Sequence, residues 1–316
     1  MKKQFIKNLK PNIPVEDIFF LTRRDIKEKR DGAPFLTFEF QDKTGRLTGI
    51  MWDRVEDALR CVTTGGFYHV QGKLGNYQGK PQLTVNAIYP ADPDEVSRDD
   101  FIATTRYDRS KLLDELHDYF TGIKNPHLKK LLKTFFEDQE FMTRFSEAPG
   151  GAMVHHNYLG GLLEHTVFMC RMAKAAAETY KEVDGDLLMT GVMLHDVGKI
   201  REYVYDTAID HTYDGRLIGH VVIGYEMVHE KIKGIEGFPE ELSRMLLHII
   251  LSHHGHLEFG APKTPKFAEA FIVYFLDNLD SRVAMFRDVV ENNPGTKWTD
   301  FHRFLETNVY IKDQTD

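Results

Sequence analysis

The sequence predicts a multidomain α+β protein: a small N-terminal barrel of five strands followed by an all-α domain. Three observations predict it. Residues 19–85 carry short alternating apolar runs split by turn residues, the period-2 signature of half-buried strands. Residues 90–97, Pro-Ala-Asp-Pro-Asp-Glu-Val-Ser, are polar and proline-bearing and have no apolar period, as a linker does. Beyond them apolar residues recur at three- and four-residue spacing nearly to the end, which is helical periodicity. The expected partition is a barrel over 1–90, a linker over 91–105, connecting helices over 106–149, a second domain over 150–290 and a tail over 291–316.

Ile18-Phe19-Phe20-Leu21 and Phe35-Leu36-Thr37-Phe38-Glu39-Phe40 read as the first two strands. The turn over 41–46, which contains Gly45, leads into Leu47-Thr48-Gly49-Ile50-Met51-Trp52, as in a hairpin closed by a glycine-containing loop. Two further runs, over 67–74 and 81–85, flank Gly75-Asn76-Tyr77-Gln78-Gly79-Lys80. Alternation puts Phe38 on the face opposite Phe35, and the sequence leaves open which face is outward. Leu112, Leu113, Leu116, Tyr119 and Phe120, then Leu128, Leu131, Leu132, Phe135 and Phe136, are core stripes of helices. Helical pattern resumes from Leu162 after Ala148-Pro149-Gly150-Gly151. The tail, with Trp298, Phe301, Phe304, Leu305 and Tyr310, is amphipathic enough to dock on another surface.

A chain of 316 residues with 42% hydrophobic and 28% charged content belongs to the soluble globular class. No apolar run reaches the roughly 18 residues of a membrane span. The basic start over 1–7 lacks the apolar core of a secretory signal, so the cytoplasm is the expected location and no membrane partner is expected. Cys61 and Cys170 are too few for a disulfide framework and are expected to be inert core thiols. Net charge is −8, but residues 1–90 carry 15 Lys and Arg against 10 Asp and Glu, whereas residues 91–316 carry 25 against 38. The basic part can attract phosphates, and the acidic excess suits a cation pocket.

Eleven of the fifteen histidines fall between His155 and His256. Imidazole nitrogen with carboxylate oxygen suits borderline first-row cations such as Mn²⁺, Fe²⁺, Co²⁺, Ni²⁺ or Zn²⁺, whereas Mg²⁺ and Ca²⁺ favour oxygen. At the centre stands Leu194-His195-Asp196-Val197-Gly198-Lys199. Neighbours on a regular helix point about 100° apart, so His195 and Asp196 converge only near a helix end, and Gly198 is consistent with one. An aspartate has two oxygens and can bridge two cations while His195 holds one. Lys199 is placed to meet a phosphate as a point charge. His156 is the candidate for orienting the phosphate or protonating the leaving group, and His155 beside it reads as a structural hydrogen-bonding residue. Asp280, one turn beyond Asp277, either supports a ligand or caps a loop. His211, His229, His248, His256 and His302 read as surface or core residues.

Residues 19–85, in the order Phe-Leu, Pro-Phe-Leu, Asp-x-Thr-Gly, Val-x-Gly-x-Leu and Tyr-x-Gly-x-x-Gln, resemble a nucleic-acid-binding OB-fold. Such barrels grip single strands with cationic grooves and aromatic platforms. Arg23, Arg24, Lys27, Phe38, Arg46, Trp52, Tyr68, Lys73, Tyr77 and Lys80 are the pool for that surface, half of its aromatics being expected in the core instead. Over residues 150–290, the order His165, His195-Asp196, His220, His253-His254, Asp277, with Gly-Gly-Leu-Leu-Glu-His-Thr and His-Asp-Val-Gly-Lys intact, resembles the HD superfamily of metal-dependent phosphohydrolases. The resemblance implies that His165, His195, Asp196 and Asp277 hold a first ion. Asp196, His220 and one or both of His253 and His254 would hold a second, with Asp196, Lys199 and His156 as catalytic residues.

An OB-fold followed by an HD domain resembles, over nearly the whole chain, the YhaM family of bacterial 3′→5′ exoribonucleases. Gly255-His256-Leu257-Glu258-Phe259-Gly260-Ala261-Pro262 strengthens the likeness, Ala261 replacing the serine of the family's Gly-x-x-Glu-Phe-Gly-Ser-Pro. The resemblance implies two divalent ions, Mn²⁺ first with Co²⁺, Fe²⁺ or Ni²⁺ as alternatives, and single-stranded RNA as substrate with single-stranded DNA second; a homo-oligomer is compatible with it. A hydrolase of small nucleotides or cyclic dinucleotides is the alternative, weakened because no Gly-Tyr-Pro follows His253-His254. A single-strand-binding, replication-associated factor is the second alternative, weakened by the complete ligand set.

Overall fold

Alternation along the N-terminal strands closes them on themselves. In the computed structural model, which describes residues 2–151, 156–206, 208–293 and 295–312, β1 (Pro14–Glu28), β2 (Pro34–Asp42), β3 (Gly45–Met51), β4 (Phe67–Tyr77) and β5 (Lys80–Pro90) form a closed barrel in the order β1-β2-β3-β5-β4. The long β1 makes closure possible: its first half pairs with β4 and its second half with β2, the ladder shifting between Leu21 and Arg23. The parallel pair β3–β5 joins the other side. Helix α1 (Val55–Cys61) links β3 to β4. Leu36, Phe38 and Phe40 point inward with Phe19, Val70 and Leu83, so the even positions of β2 are its core face. Cys61, expected in the core, is exposed. It lies off the stripe of Val55, Ala58 and Val62 that α1 and its C-cap turn inward.

The chain separates into two compact units, residues 1–103 with 206–208, and 104–205 with 209–316. Of the segment expected as a linker, residues 91–103 group with the barrel and 104–105 with the second unit. Phe101 is buried and packs edge-on against Phe67 of β4, with ring centroids 4.7 Å apart.

The second unit contains α2 (Arg109–Gly122), α3 (Pro126–Phe136), α4 (Gln139–Glu147), α5 (Gly161–Thr179), α6 (Gly185–Leu194), α7 (Lys199–Glu202), α8 (Tyr213–Leu217), α9 (His220–Lys233), α10 (Glu240–Ser252) and α11 (Ala268–Asn292). The short hairpin β6 (Tyr203–Val204) and β7 (Asp210–His211) lies between α7 and α8, and the hairpin β8 (Trp298–His302) and β9 (Thr307–Tyr310) ends the described chain. Side chains of Asp108, Asn125, Asp138 and Asp184 cap α2, α3, α4 and α6 by accepting N–H groups of their first turns. Every residue of α6 from Leu187 to Leu194 is buried, as expected of a helix apolar on all sides. The amphipathic tail proves to be a strand hairpin that docks on α11 of its own unit, where Leu305, Val309 and Ile311 pack on Met285 and Val289. Among the described residues no helix is long and apolar enough to cross a membrane.

Gly198 marks the helix break as expected, but for a different reason. Its φ of −62° is ordinary; what it supplies is room. A Cβ there would collide with the His220 carbonyl oxygen and stand 2.6 Å from Gly224 N, so the start of α7 and the first turn of α9 touch backbone to backbone. Gly198→Ala is expected to destabilise the helical unit by about 1–3 kcal/mol through overpacking and to displace His220. Urea unfolding should show the loss, and an unchanged midpoint would remove this contact from the fold's requirements.

Candidate metal centre and nucleic-acid face

The helical core delivers the candidate ligands. Helix α6 stops at Leu194, and residues 195–198 turn before α7 begins, which lets His195 and Asp196 face the same side. Helix α5 supplies His165, α9 opens with His220, the end of α10 brings His253 and His254, and the middle of α11 supplies Asp277 and Asp280.

These side chains form two groups with Asp196 between them. In the first, His165 Nε2 lies 3.3 Å from His195 Nε2 and 3.4 Å from Asp277 Oδ1. In the second, His220 Nε2 lies 3.3 Å from His254 Nε2, and His253 completes the cluster. Asp196 Oδ2 faces the first group, 3.3 Å from His195 Nε2 and 3.8 Å from His165 Nε2. Its Oδ1 faces the second, 3.5 Å from both His220 Nε2 and His253 Nε2.

The donor chemistry fits metal ions. Each of the five imidazoles turns Nδ1 to an acceptor: Val192 O for His195 and Ile250 O for His253, both at 2.7 Å, Phe259 O for His254 at 3.0 Å, and Asp280 Oδ2 for His165 at 2.7 Å. His220 Nδ1 stands 2.9 Å from Glu202 Oε2, within ion-pair distance though out of line for a hydrogen bond. These partners assign the proton to Nδ1 and leave Nε2 aimed inward, the usual arrangement of a histidine ligand. Asp196 Oδ1 and His253 Nε2 are buried with no hydrogen-bond partner among the described residues. Donors that share one cation at about 2.1 Å stand roughly 3–3.5 Å apart, close to the spacing seen here.

Charge is concentrated to match. Burial opposes ionisation of Asp196, but Lys199 and His195 hold its carboxyl well below the usual range. Lys199 Nζ donates to Gly150 O and forms an ion pair with Asp196 Oδ2, each at 2.6 Å, and the Asp196 charge overcomes burial and raises the lysine's pKa. Burial also works against a charged His165, yet Asp277 and Asp280 outweigh it and lift its pKa to about 10. Burial, with His253 alongside, pushes His254 down to about 4.

Two roles differ from expectation. His156 is 1% exposed, with Nε2 hydrogen-bonded to Asp280 Oδ2 at 2.8 Å and Nδ1 to the Tyr158 hydroxyl at 2.9 Å. Both nitrogens are engaged away from the cleft, so it is not a substrate-facing acid; it braces Asp280, which in turn orients His165. Gly161, at the start of α5, allows this, because a Cβ there would collide with His156 O. Glu202, which the sequence reading passed over, accepts the His220 N–H at 3.0 Å and faces its ring. Only its place seven residues beyond His195 could have drawn attention to it. Lys199 is buried beside Asp196 rather than solvated. His155 lies outside the described residues.

In front of the ligands opens a pocket of about 490 Å³ lined by Lys199, His220, His254 and Asp277 with Tyr203, Tyr274, Arg282 and Phe304. The barrel carries a separate groove of about 450 Å³ across the outer faces of β1, β2 and β3, lined by Arg23, Lys27, Phe35, Trp52, Tyr77 and Gln82 among others. Trp52 and Tyr77 are 42% and 59% exposed, and Phe35 stacks on Trp52 with centroids 4.7 Å apart. Phe38 and Tyr68 are corrected to core residues: Phe38 reaches the groove floor only from inside, 2% exposed, and the Tyr68 hydroxyl donates to Thr63 O at 2.9 Å. Arg24 donates to Val62 O, and Arg46 pairs with Glu39 at 2.9 Å. Lys73 and Lys80 are exposed but line no part of the groove. Phe35 was missed; its odd register opposite Leu36, Phe38 and Phe40 was the available signal.

The HD domain family matches residues 162–282, and the OB-fold nucleic acid binding domain family matches residues 21–91. The chain is 33% identical over 300 residues to the "3'-5' exoribonuclease YhaM" of Bacillus velezensis, covering 94% of each chain. It is 33% identical over 285 residues to the Bacillus subtilis protein of that name, covering 89% of each. The Shouchella clausii protein of the same name is 35% identical, covering 84% of this chain and 83% of that one. The chain belongs to the YhaM family.

In this YhaM-family chain the candidate ligands lie inside the HD match, from His165 on α5 to Asp277 on α11. The bracing residue His156 and the C-terminal hairpin lie outside that match. Glu202→Gln is expected to weaken divalent-metal binding by about 10- to 100-fold, as loss of a supporting carboxylate does, with Mn²⁺ as the probe. Free Mn²⁺ counted by electron paramagnetic resonance during titration tests this; identical isotherms for variant and wild type would separate Glu202 from the centre.

Proposed function

We propose that this chain is a metal-dependent 3′-5′ exoribonuclease that hydrolyses the terminal phosphodiester bond of single-stranded RNA, with single-stranded DNA a second substrate. The carrying observation is Asp196, whose two oxygens face two separate donor groups, within a chain matched along 94% of its length to a relative of that name. The donor mixture of imidazole and carboxylate supports two first-row cations, and the family resemblance puts Mn²⁺ first among them. Divalent cations bound there supply activation of the attacking water and neutralisation of charge on the phosphate.

The chain's own residues do the rest. Asp196 holds the two donor groups in register. Lys199 Nζ, shared between Asp196 and the pocket, offsets the negative charge of an incoming phosphate. His195, His253 and His254 present Nε2 without rotating, because their Nδ1 atoms are hydrogen-bonded; Glu202 faces the His220 ring and holds its backbone N–H, and Asp280 with His156 fixes His165. The barrel groove supports strand capture: Arg23 and Lys27 meet phosphates while Trp52, Phe35 and Tyr77 offer stacking surfaces.

Helix α11 supports self-association of two copies. Phe271, Phe275, Leu279, Val283 and Phe286 are each 41–60% exposed and share one helix face, opposite Asp277. They leave roughly 500 Å² of apolar surface per chain, so two such faces approach the ~1,000 Å² of a specific interface.

Asp196→Asn should lower turnover of single-stranded RNA at least about a hundredfold while leaving strand affinity within about twofold. Gel-based product analysis with 3′- and 5′-labelled RNA in Mn²⁺, alongside fluorescence anisotropy, measures both; undiminished turnover sinks the bridging role. Trp52→Ala should weaken strand binding by about 1–3 kcal/mol with kcat at saturating RNA unchanged. An unaltered Kd would take Trp52 out of the groove's binding surface.

A further inference from the structure

The pocket before the metal ligands contains more than metal chemistry needs. Arg282 sits on α11 just beyond Asp277, and its Nε donates to Asn278 Oδ1 at 3.0 Å. Among the described residues no carboxylate pairs with it, so its charge is available to an anion in the pocket it lines. Phe304 enters the same pocket from the loop between β8 and β9, outside both family matches. It is 54% exposed, yet the next residue, Leu305, is buried with Val309 and Ile311 against Met285 and Val289. Met285 belongs both to that small core and to the pocket wall. The hairpin therefore anchors a half-exposed aromatic ring at the cleft, tilted against His302 with centroids 6.2 Å apart, so less side-chain freedom is left to lose when something stacks on its exposed surface.

We propose that this pocket receives the 3′-terminal nucleoside of the strand, its base stacked on Phe304 and its phosphate paired with Arg282. The proposal rests on the exoribonuclease reading and adds the residues that seat the chain end. A volume of about 490 Å³ falls within the range of small-ligand sites. Every base offers a flat face, so stacking accepts any of the four without reading sequence. A paired terminal base brings its partner strand with it, too bulky for a pocket of this volume, and does not enter. The single-strand requirement is thereby set at the catalytic pocket as well as at the barrel groove.

The test compares release of the last residue from two single-stranded RNAs, one ordinary and one ending in an abasic nucleotide, by wild type, Phe304→Ala and Phe304→Trp in Mn²⁺. Wild type should process the abasic end about five- to a hundredfold less efficiently, the worth of one stacked base. Phe304→Ala should lose a similar factor on the ordinary RNA, mainly as a raised KM, and should treat the two ends alike; Phe304→Trp should restore the preference. Arg282→Ala should raise KM for both ends. Equal processing of both ends by wild type overturns the proposal while leaving the exoribonuclease reading intact, as does a Phe304→Ala profile matching wild type. Failure of wild type to shorten either RNA would overturn the exoribonuclease reading itself.

Discussion

A single buried carboxylate organises the helical unit. Asp196 is nearly inaccessible, and a lone charge in such a place is costly unless it is paired. Here it is met by Lys199 on one side and by imidazole nitrogens on both. Removing any partner leaves charge uncompensated, so the positions of α5, α7, α9 and α10 are tied to this one group. The backbone contact between Gly198 and α9 and the brace from His156 through Asp280 are the means by which separate helices reach it at the required distance.

The residues of the candidate metal centre could be picked out in the sequence because they come in an ordered series of short, recognisable runs. His165, His195, Asp196, His220, His253, His254 and Asp277 all converge. What the sequence did not reveal is which polar residues act on ligands rather than on substrate. Glu202 and Asp280 serve imidazole Nδ1 atoms, a relation set by how helices pack and not by spacing along the chain. His156 was misassigned for the same reason: adjacency to another histidine says nothing about which way a ring turns, and its φ of 50° turns it into the core.

In the barrel the strands were readable and the faces were not. Alternation defines two faces of β2, and only burial of Leu36, Phe38 and Phe40 decides that Phe35 looks outward. Cations were still less readable. Arg23 and Lys27 reach the groove, Arg24 and Arg46 are drawn to neighbouring acceptors, and Lys73 and Lys80 lie elsewhere, although all six are alike as basic residues on strands or turns.

Helix α6 is buried on every side, and the residue pair at its end is where the hydrophobic interior meets the cleft. A residue that fills the core around it, Val192, also aims the chemistry, because its carbonyl holds the His195 ring. Stability and activity in this molecule therefore share positions. A lineage exploring new substrates can vary the pocket rim and the barrel groove, but it has little freedom to retune the centre without also rebuilding the core.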